Sequence, residues 1–119
     1  MVRVLVVDDD EAFLYVVKKH LEASGYEVIP FLDWLGVLEV LESDERIDAL
    51  VTDLRLPPGT PNGHSLGRMA RRKRPQLKVV YMTAYEALLG EVRSAASTVV
   101  LKSDDSAAVV AALEHALAS

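Results

Sequence analysis

The chain has 119 residues, half of them apolar, and a formal net charge of -5. Those values suit one compact domain with a single substantial core, and they argue against non-specific nucleic-acid binding, which needs a basic face. No cysteine is present, so disulfides and thiolate metal sites are excluded; the apolar runs also fall far short of a membrane span of roughly 20 residues, and Asp8, Asp9 and Asp10 interrupt the first run too early for a signal peptide.

Residues 2–7 are a nearly continuous β-branched run, the pattern of a strand buried on both faces. Asp8 and Asp9 close it. Asp10 is placed to cap the next helix, with Glu11 near the positive end of its dipole. Leu14, Val17 and Leu21 recur at helical spacing, and Gly25 is a C-terminal stop. A second strand is expected over 26–31. Asp33 opens a second helix, whose inner side is read as Leu35, Leu38 and Leu41. The third strand spans 47–52 and delivers a carboxylate, Asp53, to its tip.

The loop 54–63 holds Pro57, Pro58, Gly59, Pro61, Asn62 and Gly63, a dense set of turn formers. A third helix follows over about 64–74, with Leu66, Met69 and Ala70 facing in. It ends in Arg71, Arg72, Lys73 and Arg74, read as a solvated helix end favoured by the dipole, and Pro75 stops it. The fourth strand covers 78–82 and is capped by Thr83. A short fourth helix is expected over 85–95 and a fifth strand over 98–101, ending at Lys102. Asp104 or Asp105 starts the last helix, with Val109 or Val110, Leu113 and Leu117 as its inner stripe. His20, His64 and His115 lack ligand spacing and are read as surface residues; Trp34 and Tyr15 are read as packing.

Five strands alternating with five helices predict a parallel sheet covered on both faces, in one domain over residues 1–119. In such sheets ligands bind beyond the carboxyl ends of the strands, where the strand order switches. Taken alone, Asp8–Asp10 would be a turn and a helix cap, Lys102 a surface charge and Thr83 a strand-end hydroxyl. Four predicted strand ends instead bring Asp8, Asp9, Asp53, Thr83 and Lys102 to one edge, and that agreement reverses the bland interpretation.

The chain resembles a response-regulator receiver domain, the phosphoacceptor half of two-component signalling, over essentially its whole length. The matching pieces are Val-Leu-Val-Val-Asp-Asp-Asp-Glu at 4–11, Val-Thr-Asp-Leu-Arg-Leu-Pro at 51–57, Gly63, Met-Thr-Ala-Tyr at 82–85 and Leu-Lys at 101–102. Each is weak alone; together, in this order, they are specific. The resemblance implies a flavodoxin-like, doubly wound five-stranded parallel sheet of order 2-1-3-4-5 with helices on both faces, an order for which a receiver domain is a standard illustration. It implies that Asp53 is the phosphoacceptor, that Asp8, Asp9, Asp53 and the backbone carbonyl of Arg55 hold Mg²⁺, and that Thr83 and Lys102 grip the phosphoryl oxygens. The partners it implies are a histidine kinase or histidine phosphotransfer protein and an output protein reached by protein contacts. No direct nucleic-acid or membrane contact is expected, and the location expected is cytoplasmic.

These residue types suit that chemistry. Phosphoryl transfer needs positioning and charge neutralisation, and a carboxylate nucleophile yields an acyl phosphate. Three clustered carboxylates repel and raise one another's pKa, while Mg²⁺ favours hard oxygen ligands. A lysine at ~4 Å and an effective dielectric of ~20 is worth about 4 kcal/mol before desolvation. Three features depart from the family's usual pattern: Ser103 follows Lys102 where a proline is usual, Val99 occupies the aromatic switch position, and the stretch from Thr83 to Lys102 is short. Tyr85 is a candidate tuning residue. The expectation is therefore retained phosphorylation with an atypical readout, and no turnover of external substrates. The alternatives are a receiver-shaped module that is never phosphorylated and a small Mg²⁺-dependent phosphatase of the haloacid-dehalogenase type. The latter would need its nucleophile in a D-x-D pattern on the first strand.

Overall fold

A computed structural model describes residues 1–55, 63–84, 98–102 and 106–119. The described elements are β1 (Arg3–Val7), α1 (Glu11–Ala23), β2 (Glu27–Phe31), α2 (Trp34–Glu42), β3 (Ala49–Asp53), α3 (Gly63–Lys73), β4 (Lys78–Thr83), β5 (Thr98–Leu101) and α4 (Ser106–Leu117). The helix expected over 85–95, the loop from 56 to 62, Tyr85, Ser103, the cap at Asp104 or Asp105 and the side chain of His64 lie outside the described residues. All strand pairs are parallel, and the order is β2-β1-β3-β4-β5, as the resemblance implies.

The period of two in a strand divides the core into two layers. Val4, Val6, Ala49, Val51, Val80, Met82 and Val100 face Leu14, Val17 and Leu21 of α1 and Val109, Leu113 and Ala116 of α4. Leu5, Val7, Leu50, Val79 and Tyr81 face Val37 and Leu41 of α2 and Leu66 and Ala70 of α3. β3 lies between β1 and β4, so all five of its residues are buried, and this explains the apolar stretch Ala49-Leu50-Val51 that leads to Thr52 and Asp53.

The helix boundaries follow their caps. Asp10 accepts a hydrogen bond from the N–H of Phe13 at 3.1 Å, and Asp33 from that of Leu35 at 3.1 Å. Gly25 ends the turn after α1 with a φ of 94°. Two expectations need correction. Leu35 is not on the inner side of α2 but is exposed, because a helix starting at Trp34 buries positions at spacings of three and four, Val37 and Leu41 among them. Tyr15 does not pack in the core; it is exposed, with the Lys19 ammonium 5.4 Å from its ring centre.

The basic end of α3 is not uniformly solvated. The Arg74 guanidinium donates to the carbonyls of Leu41, Ser43 and Glu45 at 3.2, 2.7 and 2.7 Å, covering the open end of α2. Lys73 pairs with Glu42 at 3.1 Å. These bonds tie α2 to α3 at the edge where the strands begin. His20, although exposed, hydrogen-bonds through Nδ1 to the hydroxyl of Ser106 and so links α1 to α4.

Candidate functional site

The strand ends that form the site are held by ladder bonds that continue past the strands. The N–H of Asp8 donates to the carbonyl of Phe31 at 3.1 Å, that of Leu54 to Met82 at 2.8 Å, and that of Lys102 to Thr83 at 2.7 Å. These extensions hold the strand ends that bear Asp8, Asp53, Thr83 and Lys102 at the same edge. Asp8 and Thr83 are fully buried and Asp53 is nearly so, whereas Asp9 is exposed. Carboxylate oxygens of Asp8, Asp9 and Asp53 all lie within 4.8 Å of one another.

Lys102 enters this group from β5. Its ammonium is 2.8 Å from Asp8 Oδ2 and 3.2 Å from Asp53 Oδ2, with the side chain 13% exposed. Asp8 Oδ1 accepts from the N–H of Asp10 at 2.9 Å, and Asp53 Oδ1 from that of Arg55 at 3.0 Å. Asp8 Oδ2, although in ionic contact with Lys102, has no hydrogen-bond partner of good geometry among the described residues. One ammonium shared by two buried carboxylates leaves them short of positive charge, and a second cation bound beside them would relieve that cost.

The charges are displaced accordingly. Burial pushes the carboxyl groups of Asp8 and Asp53 above the ordinary carboxylate value, in each case against the counter-effects of Lys102 and a backbone N–H. Burial also works to lower Lys102. Its close ionic contact with Asp8 and the charges of Asp8 and Asp53 outweigh that, and the ammonium is held above its usual value. One lysine thus serves two buried carboxylates, with the charge of Asp9 beside Asp53. The donor set is entirely hard oxygen, which fits Mg²⁺ and not a thiophilic metal.

Gly63 lets α3 begin against the nucleophile's backbone. Its N–H donates to the carbonyl of Leu54 at 3.0 Å, and a Cβ there would collide with the carbonyl of Asp53. Val99 is half-buried on the α2–α3 side of the sheet, paired in register with Tyr81 of β4. Tyr81 is buried with its hydroxyl close to Gly67 of α3, a position that a Cβ at 67 would contest. The aromatic side chain on this part of the sheet is therefore on β4, packed under a helix.

Phe13, in the first turn of α1, is the site neighbour that no motif points to. Its ring centre lies 4.5 Å from the Lys102 ammonium. In the sequence it is one more apolar residue three positions after a cap.

The chain matches the family model described as response regulator receiver domain over residues 4–114. It is similar to the DNA-binding transcriptional regulator NtrC of Escherichia coli K12, with 34% identity over 85 residues, covering 71% of this chain and 18% of that protein. It is similar in structure to a response regulator receiver protein from Sinorhizobium medicae WSM419, with a TM-score of 0.87 and 26% identity over 99% of this chain and 95% of that one. It is also similar to the BeF3-activated DrrB receiver domain, with a TM-score of 0.81 and 27% identity over 100% and 99% of the two chains. The chain spans only 18% to 36% of the first curated relatives it matches. No helix among the described residues is long and apolar enough to cross a membrane. A family match over nearly the whole chain, on a sheet of the expected order, shows that this chain belongs to the response-regulator receiver domains of two-component signalling.

Proposed function

We propose that this receiver accepts a phosphoryl group on Asp53 from a phosphohistidine of a histidine kinase or histidine phosphotransfer protein, and that residues 1–119 act as one domain in doing so. The observation that carries the proposal is the meeting of Asp8, Asp9 and Asp53 within 4.8 Å beside the Lys102 ammonium. Asp8, Asp9, Asp53 and the backbone carbonyl of Arg55 are the groups assigned to hold Mg²⁺. The gathering of three carboxylates beside a single ammonium, and the all-oxygen donor set, support that assignment. When bound, the ion supplies positive charge that offsets the approach of an anionic phosphoryl group to clustered carboxylates.

The chain's own residues do the rest. A carboxylate oxygen of Asp53 attacks phosphorus; the O–P bond forms as the N–P bond of the donor histidine breaks. The imidazole leaves with the electron pair and takes up a proton. Lys102 exchanges part of its contact with Asp53 for the incoming phosphoryl oxygens, and the Thr83 hydroxyl donates to another. Attack by water on the acyl phosphate regenerates Asp53, so the chain catalyses only its own loading and unloading. Tyr85 is assigned to tuning access to the phosphoryl group. Val99 marks a readout that does not use an aromatic on β5.

Output proceeds through protein contacts, in the cytoplasm where the donors of this family work. DNA binding belongs to the name of the NtrC relative, of which this chain covers 18%; the net charge of -5 favours protein partners for this part. No observation favours a module that is never phosphorylated.

Incubation with a small phosphodonor and Mg²⁺ tests the proposal. Intact mass and peptide mapping should place one phosphoryl group on Asp53 and none on the Asp53→Asn variant. Beryllofluoride should bind only with Mg²⁺. Turnover of external phosphoesters without a stable phosphoprotein would instead favour the phosphatase.

A further inference from the structure

We infer that Phe13 is a positioning residue for Lys102: its ring holds the ammonium against the Asp8–Asp53 pair, ready for the phosphoryl group. This rests on the function proposed above for Lys102, but the placement itself is open to direct measurement.

A lysine has four rotatable side-chain bonds and forfeits substantial rotamer entropy when fixed. Two carboxylates attract it, at 2.8 Å from Asp8 and 3.2 Å from Asp53. Attraction alone would let the ammonium follow whichever carboxylate charge is strongest. The Phe13 ring centre, 4.5 Å away, presents a second, uncharged surface that a cation favours electrostatically. It makes no demand for a proton and cannot compete as a metal ligand.

The ring is itself fixed relative to the carboxylates. Asp8 Oδ1 accepts from the N–H of Asp10, and Asp10 Oδ1 accepts from the N–H of Phe13. Two short bonds therefore register the first turn of α1 to the buried acid. Behind, Phe13 packs on the core layer formed by α1, α4 and the sheet. Lys102 is fixed at its other end by the 2.7 Å bond from its N–H to the carbonyl of Thr83. The ammonium thus contacts both an aromatic face anchored to Asp8 and the carboxylates it serves. When phosphorylation draws negative charge off Asp53 and onto phosphoryl oxygens, the ring keeps Lys102 at the site instead of letting it relax wholly onto Asp8.

Three variants and three readouts test this. In the metal-free wild type, NMR should show the ε-CH₂ protons of Lys102 shifted upfield by the ring current of Phe13. The shift should persist in Phe13→Tyr and vanish in Phe13→Leu, which keeps an apolar side chain of similar bulk. Phosphorylation by acetyl phosphate with saturating Mg²⁺ should slow about fivefold in Phe13→Leu and stay near wild type in Phe13→Tyr. Mg²⁺ affinity should be unchanged in both. Lys102→Ala supplies the limit, where Phe13→Leu has no further effect.

An unshifted Lys102 resonance in the wild type would overturn the inference, as would Phe13→Leu phosphorylating as fast as wild type. Should Phe13→Leu fail to fold, the wild-type and Phe13→Tyr spectra still decide the matter. A ring-current shift in a wild type that takes no phosphoryl group would sink the proposed function and leave the placement of Lys102 by Phe13 standing.

Discussion

The two edges of the sheet handle charge in opposite ways. Where the strands begin, charged groups are matched and partly exposed: Asp48 accepts from the N–H of Arg3 at 2.8 Å and pairs with Arg46, and Arg74 covers the carbonyls that end α2. Where the strands finish, two buried carboxylates share one lysine, Asp9 adds a third negative charge, and Asp8 Oδ2 lacks a well-aligned donor. The first edge holds helices and strands together. The second keeps an imbalance that a cation and a phosphoryl group can resolve. Both edges set carboxylates against cationic side chains, so function here lies in an unfinished electrostatic arrangement and not in unusual chemistry.

The contrast can be broken most severely at the finishing edge. Asp53→Asn should abolish phosphoryl uptake, read by intact mass, while leaving the fold intact, because the amide fills the same space. Gly63→Ala should destabilise by about 1–3 kcal/mol in denaturant titrations, since the new methyl group must displace the Asp53 carbonyl backbone. It should slow phosphorylation as well, because the displaced atoms carry the nucleophile.

Mg²⁺ sharpens the comparison. At roughly a hundred times its Kd it should stabilise the fold by about 2.7 kcal/mol, seen as a higher melting temperature. Burial raises the folded-state pKa of Asp8 and Asp53 above the unfolded values. Without metal, their contribution to stability is therefore complete below the unfolded pKa and is lost as pH rises through the folded one. Mg²⁺ requires both groups charged, so the sign reverses: the rise in melting temperature on adding Mg²⁺ should shrink on acidification, starting above the ordinary carboxylate range. An unchanged increment down to that range would place the metal elsewhere.

At the beginning edge, effects should be smaller and confined to stability. Arg74→Ala should cost about 1–2 kcal/mol in chemical melts, because the carbonyls ending α2 lose a charged donor and gain water instead. Its Mg²⁺ affinity should match wild type; a loss there would show the two edges to be coupled. Smallest of all, Lys18→Ala removes an exposed pair with Glu22, one turn away on α1, and should cost only about 0.3–0.5 kcal/mol.

Much of this was legible in the chain itself. The nearly continuous apolar runs of β1 and β3, the caps at Asp10 and Asp33 and the stop at Gly25 are local signals, set by backbone sterics and by where a carboxylate can reach an N–H. Strand alternation with helices dictates parallel pairing, so Asp8, Asp9, Asp53, Thr83 and Lys102 could be assigned to one edge before any distance was known. The inner face of α2 was misjudged at Leu35 because a leucine-rich helix offers more than one apolar stripe, and only packing against β1, β2 and α3 selects Val37 and Leu41.

Tertiary structure decided what depends on distance between remote residues. Arg74 belongs to a basic run of four, and nothing local distinguishes it from Arg72; only the end of α2 lying beside it turns a solvated charge into a cap. Phe13 and Lys102 are far apart in the chain, and no periodicity predicts that one lies against the other. Local order is written in nearest-neighbour sterics and polarity, whereas which charge goes unmatched is a sum over groups that meet only when the sheet closes.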